Sequence, residues 1–190
     1  MVSFAKYMSE EIQFNDEHWM QLAYEQAALA AELQEIPVGA VIVSQNKVIG
    51  AGFNAPISLK DPTAHAEVQA IRQACQSIDN YRLPSDATLY VTLEPCTMCV
   101  GALVHSRIQR VIFAATEPKA GSLVSARQLL DSGYYNHVFS FEQGCLQAQC
   151  SAQLSAFFKM RREQKRLLRL QEKLSITEHL LENQVKSADN

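Results

Sequence analysis

No stretch of this 190-residue chain is apolar for long enough to cross a bilayer, which argues against a membrane-spanning protein. No export signal is expected either: Met1 to Phe14 carries Glu10 and Glu11 and lacks the apolar core of a signal peptide. Charge of one sign is also scarce. The 17 Lys and Arg nearly balance the 20 Asp and Glu, so any nucleic-acid contact must be a local basic patch and not a field of the whole protein. Internal repeats and low-complexity stretches are absent. The five cysteines, Cys75, Cys96, Cys99, Cys145 and Cys150, form an odd set in a chain for which no export signal is expected. A disulfide framework is therefore not expected; reduced thiols in the cytoplasm are, and in that setting a close Cys pair points to metal or redox chemistry.

What is present suffices for one ordinary folded domain. Apolar residues make up 47% of the chain and charged residues 19%, the balance of a globular protein with a core. Residues 1–15 show no clear period and read as an N-terminal arm. Asn15 and Asp16 can cap a helix with Trp19, Ala23, Ala27, Ala30 and Ala31 at helical spacing, which Pro37 helps to stop. Residues 38–43 read as a buried strand, 45–47 as a turn and 48–53 as the hairpin partner. A helix is expected from Ala64, with Ile71, Ala74, Cys75 and Ile78 on one face. Residues 87–93 read as a strand, a helix follows from near Cys96 to about His105, and residues 111–115 form another strand. A short helix over Val124 to Leu130, a strand over 138–141 and a last helix from near Leu146 complete the pattern. Strands alternating with helices after an opening hairpin predict a three-layer α/β/α domain around a mixed five-stranded sheet.

Two segments carry the chemistry: Thr63-Ala64-His65-Ala66-Glu67 and Glu94-Pro95-Cys96-Thr97-Met98-Cys99. Each appears where a helix should open. One imidazole and two thiolates suit zinc, and three protein ligands leave a fourth tetrahedral position for water, as catalytic sites do. Positions i and i+2 do not face the same way along a helix. His65 and Glu67 can therefore converge only on a metal lying off the helix end, and Cys96 and Cys99 at a second helix start meet the same requirement. Zinc with two thiolates and a neutral histidine is formally neutral, and adding hydroxide makes it negative. Helix N-termini favour such an anion and lower thiol pKa values. Glu67 is not required as a ligand; beside a metal-activated water it can take the proton and pass it to the ring nitrogen and leaving amine. The bland readings are a structural zinc knot, a redox Cys-x-x-Cys, and a histidine satisfied in the core. None of these explains Glu67 two residues after His65. Cys75 sits on the apolar helix face and reads as core; Cys145 and Cys150 have no histidine nearby at ligand spacing.

His-x-Glu followed by Pro-Cys-x-x-Cys is the known signature of zinc deaminases, so its match is recognition and not a derivation from spacing. The chain further resembles the bacterial tRNA-specific adenosine deaminases of the cytidine-deaminase-like superfamily. The resemblance rests on Pro37-Val38-Gly39-Ala40-Val41, Gly52-Phe53-Asn54, Asp61 to Glu67, Asn80-Tyr81-Arg82-Leu83, Leu89 to Cys99, His105-Ser106-Arg107-Ile108 and Phe157 to Arg162. It covers roughly residues 16–165, which would make 1–15 an arm, 16–165 the deaminase domain and 166–190 a helical extension and tail. The resemblance implies a cytidine-deaminase-like fold, one zinc per subunit on His65, Cys96 and Cys99, and Glu67 as proton shuttle. It implies attack of zinc-activated hydroxide on C6 of a flipped-out adenine, giving inosine at the wobble position of a tRNA anticodon, chiefly of an arginine tRNA. It also implies a cytoplasmic homodimer binding the anticodon stem-loop, with Asn54 and the backbone around Ala66 on the base and Phe157, Arg161 and Arg162 on the RNA.

Simpler roles are open for several of these residues. Asn54 can merely end a strand, and of Phe157 and Phe158 one can pack inward while the other meets RNA. Between Lys159 and Lys173 stand Lys159, Arg161, Arg162, Lys165, Arg166, Arg169 and Lys173 against Glu163 and Glu172; such a run is either a solvated face or a phosphate contact. Where the resemblance leads one to expect Gly and then Asp in the substrate loop, Ala114 and Glu117 occur, followed by Pro118. The rival functions are a deaminase of free cytosine, cytidine or guanine, and a non-catalytic zinc-stabilised RNA-binding module.

Overall fold

The computed structural model describes residues 14–188; the arm expected over residues 1–15 lies almost wholly outside this range. Helix α1 (Asp16–Glu32) begins at Asn15, whose side chain accepts from the His18 N–H at 3.0 Å. This satisfies one of the helix's orphan donors. Its buried face is Trp19, Met20, Ala23, Ala27 and Ala30. Strands β1 (Gly39–Ser44) and β2 (Lys47–Phe53) form the expected hairpin, with Ser44 opposite Lys47. The turn is the two residues Gln45 and Asn46, with φ of 49° and 57°, the left-handed pair that matches the twist of a tight hairpin. Asp86 secures it, accepting from Ser44 Oγ at 2.7 Å and Gln45 N–H at 2.8 Å.

Beyond a one-turn helix α2 (Pro56–Leu59) come α3 (Ala66–Ser77), β3 (Thr88–Leu93), α4 (Thr97–Ser106), β4 (Arg110–Ala115), β5 (Ser140–Gln143) and the long α5 (Gln147–Ala188). The sheet runs β2-β1-β3-β4-β5. Its β2, β1 and β3 pairings are antiparallel and its β3, β4 and β5 pairings are parallel, so the sheet is mixed and five-stranded as expected. All six residues of β1 are buried, the mark of a strand covered on both faces. On one face Val41, Val43, Tyr90, Ile112 and Ala114 pack with Trp19, Met20 and Ala23 of α1 and Cys150 at the start of α5. On the other, Gly50 and Gly52 of β2 lie against the α3 backbone at Ala66, Ala70 and Ala74, and α3 neighbours α4. The result is a three-layer α/β/α domain.

Some elements differ from the sequence reading. The last strand starts at Ser140 and not at Val138, because Val138 is exposed while the Ser140 N–H bonds Gln109 O at 3.0 Å and Ser140 aligns with Arg110. No helix forms over Val124 to Leu130. There the N–H groups of Leu123, Val124 and Ser125 all go to the Glu94 side chain, and those of Ala126 and Arg127 both go to Gly121 O, so the i to i−4 ladder never starts. Only a 3-10 turn, Leu129–Ser132, follows. Ala31 is half-buried where the helix pattern placed it on the core face.

Contacts divide the chain into one compact unit through Ser151 and a second from Ala152 onward, the latter lying within α5. No helix among the described residues is long and apolar enough to cross a membrane.

Asp16 does not act as the cap. Its carboxylate takes two bonds from Arg110, at 2.8 and 2.9 Å, and one from Tyr90 Oη at 2.7 Å, while Arg110 also reaches Glu142 at 2.7 Å. One fork thus ties the start of α1 to β3, β4 and β5. The Arg110 guanidinium holds the Asp16 carboxyl below its ordinary value, against the opposing effect of burial. A depressed carboxyl stabilises the fold above its unfolded pKa of about 3.9, and that contribution disappears as pH falls through the folded value. Because Asp16 is partly solvated, Asp16→Asn should cost only about 1 kcal/mol at pH 7. The difference from wild type should shrink below about pH 4; urea unfolding of both proteins across pH 2–8 measures it, and a pH-independent gap would exclude the ion pair as its source.

Candidate metal centre and active site

The two chemical segments fold so that each places its first ligand at a helix cap. His65 is the N-cap of α3 and Cys96 the N-cap of α4, both in extended backbone conformation and neither using its side chain to cap. Their side chains therefore project past the helix ends, where an i, i+2 pair can converge. Cys99 follows in the first turn of α4 and is fully buried. The sulfurs of Cys96 and Cys99 are 3.6 Å apart, and His65 Nδ1 lies 3.7 Å from the first and 3.6 Å from the second.

That triangle permits a test of fit. A tetrahedral ion with arms of 2.0 to 2.3 Å separates its ligands by about 3.3–3.8 Å. All three distances fall in that interval, and the three atoms form the one group of this kind among the described residues. The electrostatics agree. Contact with Cys99 holds the Cys96 thiol down at about 4 despite burial, while the same contact and burial push the Cys99 thiol far up. Protein groups alone thus support one thiolate in the pair, and a divalent cation is what would let both ionise. The bond to Cys96 raises His65 above its ordinary value, against the effect of burial.

Glu67 stands in the first turn of α3 at 3% exposure, and its Oε2 is buried without a hydrogen-bond partner. Burial pushes its carboxyl up, and the negative Cys96 pushes the same way. A buried carboxyl with a free oxygen, raised above its ordinary value beside a metal-binding cluster, holds a proton more readily than an exposed one. The cavity it faces has a volume of about 210 Å³ and is lined by Ile36, Val38 and Leu93 on its apolar side. Asn54, His65, Glu67, Glu94, Cys96, Glu117 and Ala120 complete the lining. Ligand pockets for drug-sized molecules start at about 300 Å³, so this one suits a single ring system.

The structure thus brings together His65, Glu67, Cys96, Cys99 and Asn54, the last 8% exposed at the end of β2. Ala66 is the first residue of α3, where helix N–H groups point outward along the axis. Phe157, named among the RNA contacts, is buried at 7% exposure, whereas the Phe158 ring beside it is 42% exposed; of the two, solvent reaches Phe158. Arg161 and Arg162 are exposed on α5.

Sequence reasoning missed Glu94. It is buried at 3% exposure and its two oxygens accept from the N–H groups of Glu117, Leu123, Val124 and Ser125 and from Ser125 Oγ. Burial alone would raise its carboxyl, but the bonds from Ser125, Val124 and Glu117 outweigh that and leave it below the ordinary value. The available signal was a carboxylate continuing the buried run of β3, which calls for partners in the core.

Comparison with known proteins follows the same lines. The family model described as MafB19-like deaminase matches residues 14–162. A tRNA-specific adenosine deaminase of Haemophilus influenzae is 48% identical over 153 residues, covering 80% of this chain and 88% of that protein. Among solved structures, one from a study of A-to-I editing by tRNA A34 deaminases at the wobble position superposes with a TM-score of 0.69 at 39% identity, covering 72% of this chain and 98% of that one. A guanine deaminase from Bacillus subtilis gives a TM-score of 0.53 at 31% identity, covering 78% and 95% respectively.

The donor geometry makes a direct prediction. Chain purified in zinc should carry about one ion per molecule, and Cys96→Ser should abolish stoichiometric binding, as read by elemental analysis after gel filtration. Full occupancy in that variant would remove Cys96 from the ligand set.

Proposed function

The chain belongs to the family of tRNA-specific adenosine deaminases, and we propose that it hydrolyses adenosine to inosine at the wobble position of a tRNA anticodon, chiefly that of an arginine tRNA. The observation that carries this reading is the partnerless Glu67 oxygen in a base-sized cavity beside the His65, Cys96 and Cys99 donors. Those three residues would hold one zinc ion, and Lewis acidity is what zinc supplies there, making water acidic enough to ionise near neutral pH.

The remaining steps belong to the chain. Glu67 takes a proton from the attacking water, delivers it to the purine ring nitrogen, and passes the next to the departing amine, so that adenosine and water become inosine and ammonia. Its raised carboxyl suits both directions of transfer, because an ordinary carboxylate would hold a proton too weakly. Asn54 and the N–H groups at the head of α3, around Ala66, fix the polar edge of the base. A cavity of about 210 Å³ is on the scale of one base, so the target nucleotide leaves its stack to enter it. Extrusion is cheap from a single-stranded loop. Arg161 and Arg162, with the basic residues around them, then meet RNA phosphates, and Phe158 is the ring available for stacking. The active form is a cytoplasmic homodimer, with residues 16–165 as the catalytic domain and 166–190 as an extension.

The likeness to a guanine deaminase keeps one rival in play: the same chemistry on a free base. Incubation with an arginine-tRNA anticodon stem-loop, and separately with adenosine, cytidine and guanine, distinguishes them. Inosine should appear in the RNA alone; turnover of a free base with none in RNA would replace the substrate class. Glu67→Ala should keep zinc and lose at least about 10²-fold in rate, and normal turnover would end its role as proton carrier.

A second measurement concerns the basic residues. Replacing Arg161 and Arg162 with Ala should weaken stem-loop binding and lower the slope of log K against log salt by about 2. An unchanged slope would make those arginines plain surface.

A further inference from the structure

Glu94 lies in the cavity wall yet has no place in the chemistry above. Its backbone N–H continues the sheet by bonding Ala115 O at 2.8 Å. Its side chain turns inward and is almost completely buried. Oε1 accepts from Leu123, Val124 and Ser125 N–H at 3.1, 2.8 and 3.0 Å. Oε2 accepts from Glu117 N–H at 3.0 Å and from Ser125 Oγ. One carboxylate thus gathers both ends of a loop with no helical or strand ladder of its own. Charge-assisted bonds of this kind are roughly twice as strong as neutral ones, and a buried backbone N–H left without an acceptor is costly.

The loop is threaded closely over this anchor. Gly121 packs so tightly that a Cβ there would lie 2.3 Å from Glu94 Cδ. Gly121 also bridges to Cys96, the Ser122 N–H bonds Pro95 O at 2.9 Å, and Ser122 Oγ lies 2.9 Å from Thr97 Oγ1. Glu117 at the first anchored end, and Ala120 between the two ends, face the cavity together with Glu67, Asn54 and His65.

We propose that Glu94 is a positioning residue for the deamination: by collecting the loop from Glu117 to Ser125, it sets the cavity wall that holds the base against Glu67 and the metal donors. The proposal rests on the deaminase reading for its activity measurement, and has a second measurement that does not. Glu94→Gln is the suitable variant, because it keeps size and changes one oxygen to NH₂. Whichever way the amide turns, at least one backbone N–H loses its acceptor.

Hydrogen exchange at Glu117, Leu123, Val124 and Ser125 should then accelerate by at least about tenfold, with exchange in β1 and β3 unchanged. Zinc content should remain that of wild type. On the stem-loop, kcat should fall by about 100-fold, the scale of a small misplacement of reacting groups. KM should stay within about threefold, since RNA contacts outside the cavity are untouched. Gly121→Ala, which retains every polar group and displaces the loop by its Cβ, should reproduce the split and serves if Glu94→Gln does not fold.

A normal kcat with accelerated loop exchange overturns the proposal, because the wall would then be irrelevant to turnover. Loss of zinc with undisturbed loop exchange overturns it too, by assigning Glu94 to support of Cys96. Uniformly faster exchange with normal kcat in the folded fraction makes Glu94 a fold residue only and also overturns it. If the wild-type enzyme deaminates neither RNA nor free base, the deaminase reading fails instead, and the clamp is judged on loop exchange alone.

Discussion

How near α3 can approach the sheet determines where His65 and Glu67 stand, and that approach is a matter of backbone touching backbone. At Gly52 a Cβ would sit 2.6 Å from Ala66 O and Ala70 N, and at Gly50 it would sit 2.3 Å from Ala70 O. With no side chain on the strand and only methyl groups on the helix, α3 lies directly on β2. Gln73 and Ser77 of the same helix bond Ala51 N–H and Ile49 O on that strand. The first turn of α3 is therefore rigidly placed at the carboxyl end of β2, beside Asn54. The neighbouring α4 starts shortly after β3 ends, so Cys96 and Cys99 meet His65 at the heads of two packed helices. Sites built on the ends of packed elements hold their geometry better than sites built on loops.

The same placement sets the electrostatics. Two helix N-termini aim at one point, and each carries roughly half a positive charge. Thiolates are favoured there, but the hydrogen bond between sulfurs 3.6 Å apart, with burial, drives one thiol down and the other up. A divalent ion held by His65, Cys96 and Cys99 would relieve that conflict, and the helix ends favour an anion beside it. The site is thus poised for a cation to bind and for negative charge to develop next to it, which is the demand of hydrolysis at an electron-poor ring carbon.

Much of this was legible in the residues themselves, for identifiable reasons. The spacing of His65 and Glu67 excluded a metal on a helix flank and required one off its end; in the structure His65 and Cys96 are the helix caps. The opening hairpin was visible because alternating apolar runs flank a short polar turn. The need of Glu94 for partners could be read from its place after β3, but the partners could not: apart from Ser125 Oγ they are backbone N–H groups 23 to 31 residues away, and backbone donors leave no trace in the choice of side chains. The helix expected over Val124 to Leu130 failed for the same cause: propensity favoured it, but the long-range carboxylate took the N–H groups first. Phe157 and Phe158 were interchangeable by composition, and only burial tells them apart.

The two buried carboxylates of the cavity show why environment, and not residue type, assigns the roles. Glu67 and Glu94 line the same space and are equally hidden from solvent. Glu94 is surrounded by N–H and O–H donors that favour its charged form, so its carboxyl is depressed and it is bound to stay an anion. Glu67 has a free oxygen, and burial with a negative sulfur nearby disfavours its charge, so its carboxyl is raised. An anion saturated with donors can hold a loop but has no lone pair to offer a proton. A carboxyl lifted toward neutrality can exchange one with water and with substrate. Pushing two like groups apart in proton affinity within one small cavity separates the part that must stay fixed from the part that must change state.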